Sequence, residues 1–114
     1  MRRVYREGAP MIIDLERKAK RNSPENLLLR LSAIEDHWEE IRALAQTAPR
    51  AGEIAQVLES LGAPTRPEQV GVDPAYIADG ILFAKELRDR YTILQLLWDI
   101  DRLEEMKEVL MQHE

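Results

Sequence analysis

The sequence predicts an all-α fold, a bundle of five to six helices joined by short links. Three observations carry this. Leu27, Leu31, Ile34, Trp38, Ile41 and Ala45 recur at alternating steps of four and three, the a/d seam of one helix over nearly three heptads. The stretch Tyr91-Thr92-Ile93-Leu94-Gln95-Leu96-Leu97-Trp98-Asp99-Ile100 is apolar in nearly every helical direction. That pattern suits a helix enclosed by others, or one with a side awaiting a partner. No stretch alternates apolar and polar residues between hairpin signals, and no fixed-period repeat occurs, so neither strands nor a solenoid are expected.

The elements follow in order. Ala9 to about Lys20 reads as a helix with Met11, Ile12, Leu15 and Ala19 at helical spacing. Asp14–Lys18 and Glu16–Lys20 are placed for i,i+4 ion pairs. Asn22-Ser23-Pro24 then breaks and restarts the chain, with Ser23 as N-cap and Pro24 in the first helical position. The seam from Leu27 to Ala45 follows, widened by Leu28 and Leu44 to the stripe of a bundle helix rather than a free coiled coil. Glu35, Asp36, Glu39, Glu40 and Arg42 occupy its other side, and Pro49 ends it at or before Ala48. Glu53 to Leu61 makes a short helix with Ile54, Val57, Leu58 and Leu61 inward and Gly62 at its C-terminal cap. Ala63 to Val72 is a rigid connection with one helical turn started by Thr65 and Glu68.

Asp73 caps the next helix and Pro74 opens it. Ile77, Ile81 and Ala84 line its stripe, extended by Phe83 and Leu87, and Glu86 can pair with Arg90. Gly80 would allow a close helix contact. Thr92 with Gln95 has the form of a capping box before the apolar helix, and Asp101 with Glu104 starts the last one. Leu103, Met106, Val109 and Leu110 face inward there. Trp38 and Trp98 are both expected to be buried.

At 114 residues one domain, 1–114, is the natural count. Such a chain should bury roughly two-thirds of its unfolded surface. The absence of cysteine excludes disulfides and thiolate metal sites and fits a cytoplasmic setting. No apolar run approaches the ~20 residues of a membrane span, and MRRVYREG has no apolar region behind it to act as a secretory signal. Although the chain carries a net −5, residues 1–21 hold Arg2, Arg3, Arg6, Arg17, Lys18, Lys20 and Arg21 against Glu7, Asp14 and Glu16. A basic end can meet phosphate. With no aromatic ladder or nucleic-acid motif beside it, a solvated face is expected, and neither nucleic acid nor membrane as partner.

Candidate chemistry is sparse. His37 lies in Glu35-Asp36-His37-Trp38-Glu39-Glu40, and imidazole with carboxylate suits zinc, nickel or iron. Only Glu40 shares its helical face, which leaves such a site two ligands short. His113 stands one residue from the end of the sequence. Gly8, Gly52, Gly62, Gly71 and Gly80 are isolated, so no phosphate-binding loop can be named, and Ser23, Ser32 and Ser60 lack a nucleophile-elbow setting. Asp89, Asp99 and Asp101 flank the apolar helix, where capping or solvation is the expected role.

Two motifs are more specific. Gly62-Ala63-Pro64-Thr65-Arg66-Pro67-Glu68-Gln69-Val70-Gly71-Val72, followed by Arg88-Asp89-Arg90-Tyr91-Thr92-Ile93-Leu94, resembles the C-terminal region of sn-glycerol-1-phosphate dehydrogenases, with the bacterial branch closest. Leu15-Glu16-Arg17-Lys18, Asn22-Ser23-Pro24-Glu25 and Trp38-Glu39-Glu40-Ile41-Arg42 resemble the segment before it. The resemblance implies the C-terminal helical domain of a dehydroquinate synthase-like, iron-containing alcohol dehydrogenase-like enzyme. The family reduces dihydroxyacetone phosphate with a nicotinamide cofactor, NAD(P), and a divalent metal. The family's glycine-rich cofactor loop and its metal-binding Asp and two His have no counterpart here. No catalytic, cofactor-binding or metal residue carries over, and the chain by itself is expected to lack dehydrogenase activity. The alternative is a stand-alone helical interaction or dimerisation module. In either case a homo-oligomer, or a pairing with the missing N-terminal part, is expected to cover the apolar stretch 91–100. A monomer whose basic N-terminal helix folds over that patch is the other arrangement.

Overall fold

Local chemistry sets where the helices start. In the computed structural model, which describes residues 1–112, Ser23 Oγ accepts from the Asn26 N–H at 3.3 Å and Asp73 Oδ1 from the Ala75 N–H at 2.8 Å. Pro24 and Pro74 occupy the first turns behind these caps. The chain forms α1 (Arg2–Tyr5), α2 (Ala9–Ala19), α3 (Pro24–Asp36), α4 (Trp38–Ala45), α5 (Ala51–Ser60), α6 (Pro74–Phe83), α7 (Ile93–Asp99) and α8 (Leu103–Gln112). Tight 3₁₀ turns at Arg6–Gly8, Pro67–Val70 and Ala84–Glu86 link them, and there is no strand among the described residues.

The all-α expectation holds, with two α-helices more than the six read from the sequence. Arg2–Tyr5 is helical, and the long seam is broken at His37, whose φ of −116° and ψ of 20° leave the helical region. His37 Nδ1 lies 3.0 Å from Glu40 Oε1, so a local side-chain contact forms over the first turn of α4 at the break. Gly62 and Gly71 take φ of 70° and 69°, which glycine adopts without the Cβ clash of other residues. Gln69, not Glu68, closes the 3₁₀ turn, its Oε1 accepting from the Thr65 and Arg66 N–H groups at 2.7 and 2.8 Å. Thr92 makes no side-chain cap, because Gln95 is turned into the interior. Asp101 sits in the left-handed region at φ 57°, and α8 starts after Arg102, later than expected.

α7 packs between α3 and α8, α6 lies on α8, and α1 meets the start of α2 across the turn at Arg6–Gly8. The molecule is a slab of 46 × 40 × 22 Å with a radius of gyration of 16.4 Å, against about 13 Å for a spherical domain of this length. It exposes 9008 Å², so about half of the unfolded surface is buried instead of two-thirds. Among the described residues only Ala9, Ile12, Ile34 and Leu103 form a buried apolar core. The expected burial of the tryptophans fails: Trp38 is 40% and Trp98 36% exposed. Ile54, Val57 and Leu61 also face outward, and no neighbour lies within 4 Å of a Cβ placed on Gly80, so no close helix contact uses it.

Candidate functional site

The interior of the slab is polar. On α7, whose sequence is apolar in nearly every direction, the two buried residues are Gln95 and Asp99, spaced i,i+4. Arg30 of α3 faces them. Its Nε and Nη2 donate to Asp99 Oδ2 and Oδ1 at 2.8 and 2.9 Å, a bidentate ion pair. The Tyr91 hydroxyl donates to Asp99 Oδ2 at 2.9 Å, and Gln95 Nε2 donates to Oδ1 at 2.9 Å. Asn22 Oδ1 accepts from Arg30 Nη2 at 3.1 Å and from Gln95 Nε2 at 3.2 Å. Arg30 Nη1 donates to the Arg21 carbonyl. Burial disfavours the Asp99 carboxylate, but the donors from Arg30, Gln95 and Tyr91 outweigh it and hold its pKa below the ordinary value. Burial, reinforced by the bond to Asp99, pushes the Tyr91 phenol up to about 12.

A second cluster adjoins the first. Lys85 and Glu86 form an ion pair with both side chains 5% exposed, and Lys85 Nζ lies 5.0 Å from the Trp98 ring centroid. Arg21 Nη2 is 2.7 Å from Glu16 Oε1, and its Nη1 donates to the Lys85 and Arg88 carbonyls at 3.2 Å each. The Glu16 carboxyl lies against that of Glu86, and burial followed by this neighbour raises its pKa. Formal charges cancel within each cluster. Together they fasten the α2–α3 link to α7 and to the turn after α6.

The candidates read from the sequence fall elsewhere. His37 and Glu40 meet on the exposed surface, and among the described residues no group of three or more His, Asp or Glu could hold a metal. Asp99 is not a cap; its carboxylate is filled by four hydrogen bonds and has no direction left for a cation. Asp89 is exposed 3.7 Å from Arg21, and His113 lies outside the described residues. Asp14 pairs with Lys18 at 2.8 Å as expected, whereas Glu16 and Glu86 turn inward and leave Lys20 and Arg90. The basic N-terminus is partly engaged by the fold. Arg3 grips Asp79 with two bonds of 2.9 and 2.6 Å, and Tyr5 donates to the Phe83 carbonyl. Its first residues therefore lie on α6.

Beside the polar centre runs an apolar groove of about 590 Å³ between α3–α4 and α7, lined chiefly by Ala33, Ile34, Ile41, Leu44, Ile93 and Leu96. Its polar edges are Thr92, His37, which meets Glu40, and Arg30 and Tyr91, both engaged with Asp99.

One stretch of 43 residues matches curated proteins. The similarity is to glycerol-1-phosphate dehydrogenases. The NAD(P)+ enzymes of Methanosarcina acetivorans and Methanosarcina mazei are each 46% identical to it over that stretch, which is 37% of this chain and 12% of either relative. No family model matches the chain, and no solved structure does. Among the described residues no helix is long and apolar enough to cross a membrane.

Proposed function

We propose that the chain is the C-terminal helical domain, 1–114, of a sn-glycerol-1-phosphate dehydrogenase-like protein, of the bacterial branch and the dehydroquinate synthase-like superfamily. What supports the dehydrogenase family is the 46% identity over 43 residues to two Methanosarcina enzymes; the branch, the superfamily and the domain rest on the resemblance of the motifs at 62–72 and 88–94. The parent reaction is NAD(P)H-dependent reduction of dihydroxyacetone phosphate in the cytoplasm. The residues here do not fit the metal or the nucleotide, so no step of that reaction is assigned to them. The domain's part is structural, and neither nucleic acid nor membrane is its partner. A test combines titration with reconstitution. The isolated chain should neither bind NADH or Zn²⁺ at micromolar affinity nor reduce dihydroxyacetone phosphate. Joined to the catalytic part of a Methanosarcina enzyme in place of that enzyme's helical end, it should restore reduction. Stoichiometric cofactor binding by the chain alone, or an inactive but folded chimera, would overturn the reading.

The second reading is a helical association module without enzymatic activity. It is favoured by the apolar surface left open on α4, α5 and α7, where Leu44, Val57 and Ile93 are more than half exposed.

A further inference from the structure

Helix α5 is amphipathic and lightly held. Ile54, Val57, Leu58 and Leu61 stand at i, i+3, i+4 and i+7, the spacing by which a helix offers anchors to a groove. No residue of α5 is buried, and its side-chain hydrogen bonds stay within the helix and its cap. The entry to the helix holds it off. Ala48 precedes proline and is steered away from helical geometry, and Arg50 is extended at φ −68° and ψ 144°. The chain therefore leaves α4 without folding α5 back along it.

The groove between α3–α4 and α7 is the complementary half. It is apolar, open to solvent and about 590 Å³ in volume, and the anchors it would take, Ile54 to Leu61, span two turns, about 10 Å. We infer that α5 of a second copy fills it, and that the exchange is reciprocal across a two-fold axis. Every copy carries both the helix and the groove, so a two-fold pair satisfies both surfaces on both chains. The area agrees. A 13.2 kDa chain exposing 9008 Å² carries about 2,600 Å² more surface than a compact monomer of that mass. An obligate homodimer takes about 1,000–2,500 Å² from each chain. The inference deepens the association reading and is independent of the dehydrogenase one.

Light scattering across a concentration series, with circular dichroism for helicity, tests it on the full chain and on Val57→Asp and Leu44→Asp. Both residues are solvent-exposed in the single chain, at 59% and 73%, so neither charge should unfold it. The full chain should show twice the 13.2 kDa mass, and either variant should shift to monomer with unchanged helicity. The chain has no cysteine, so Val57→Cys and Leu44→Cys chains can be mixed and treated with a flexible bis-maleimide. Cross-linking between the two different chains is expected. A monomer at all concentrations overturns both the exchange and the association reading. A dimer indifferent to both charges, or a Val57→Cys/Leu44→Cys double variant that cross-links only within one chain, overturns the exchange and leaves association standing.

Discussion

Asp99 is the residue on which the interior depends. Its side chain is 0% exposed and holds Arg30, Gln95 and Tyr91 at once. Asp99→Ala strands the Arg30 guanidinium and takes an acceptor from Tyr91 and from Gln95, which keeps Asn22, and breaking a buried pair in this way should cost about 3–5 kcal/mol. The double variant Arg30→Met/Asp99→Leu should recover the part due to the stranded guanidinium, since an apolar pair of similar volume matches a buried ion pair, and leave the part due to Tyr91 and Gln95. Denaturant melts of the three proteins check both statements. Two interior carboxyls shape the acidic side of the pH profile with opposite shifts. Glu16 is raised above 4.5, so the folded state binds its proton first and stability increases as pH falls through that raised value. Asp99 is lowered below 3.8, so the stability it gives is present above that value and lost as pH drops through its folded pKa. Melting temperature should therefore peak in mild acid, and Glu16→Gln should reduce the rise on the acidic side of neutral while leaving the acid-side fall.

At the scale of the element, the helix boundaries were legible where one side chain decides them. Ser23, Pro24, Asp73, Pro74 and Gly62 act as their chemistry requires whatever surrounds them. The faces were less legible, because apolar periodicity locates a stripe without saying whether this chain covers it. On α7 the reading inverted: two polar residues at i,i+4 in an apolar run, with Arg30 alone on the apolar side of α3, were the available sign of a buried network. The break at His37 had no proline or glycine to announce it. Among helix ends, α2 closes on Lys20 at φ 50° and ψ 24°, a left-handed position that an L side chain occupies at a cost. Lys20→Gly should stabilise the protein by roughly 0.5–1 kcal/mol, measured by urea denaturation. A loss of stability would show that the Lys20 stem packs on its surroundings.

At the scale of the whole molecule, the sequence carried the all-α class but not the slab. Composition gives the amount of apolar surface, and only tertiary geometry tells how much of it one copy encloses. Here one copy buries four apolar side chains among the described residues and leaves Leu28, Leu29, Leu44 and Leu61 more than half open. The candidate surface was legible only in part, as an apolar stretch 91–100 in want of a cover. Pro49 announced that the chain leaves α4 there, but that α5 then stays largely exposed, and that α3–α4 and α7 form the groove, depends on long-range packing.

A centre tied by ions and amides has a thermal consequence. Exposing apolar groups raises the heat capacity of unfolding and exposing polar groups lowers it, so this monomer should unfold with less than the about 1.4 kcal/mol/K usual for its length. Its stability curve would then be shallow: little is gained on cooling, and the fall on heating is gradual. Calorimetry on the monomeric Val57→Asp chain would show it, and a full-sized increment there would mean that the single copy closes over its apolar surface in solution.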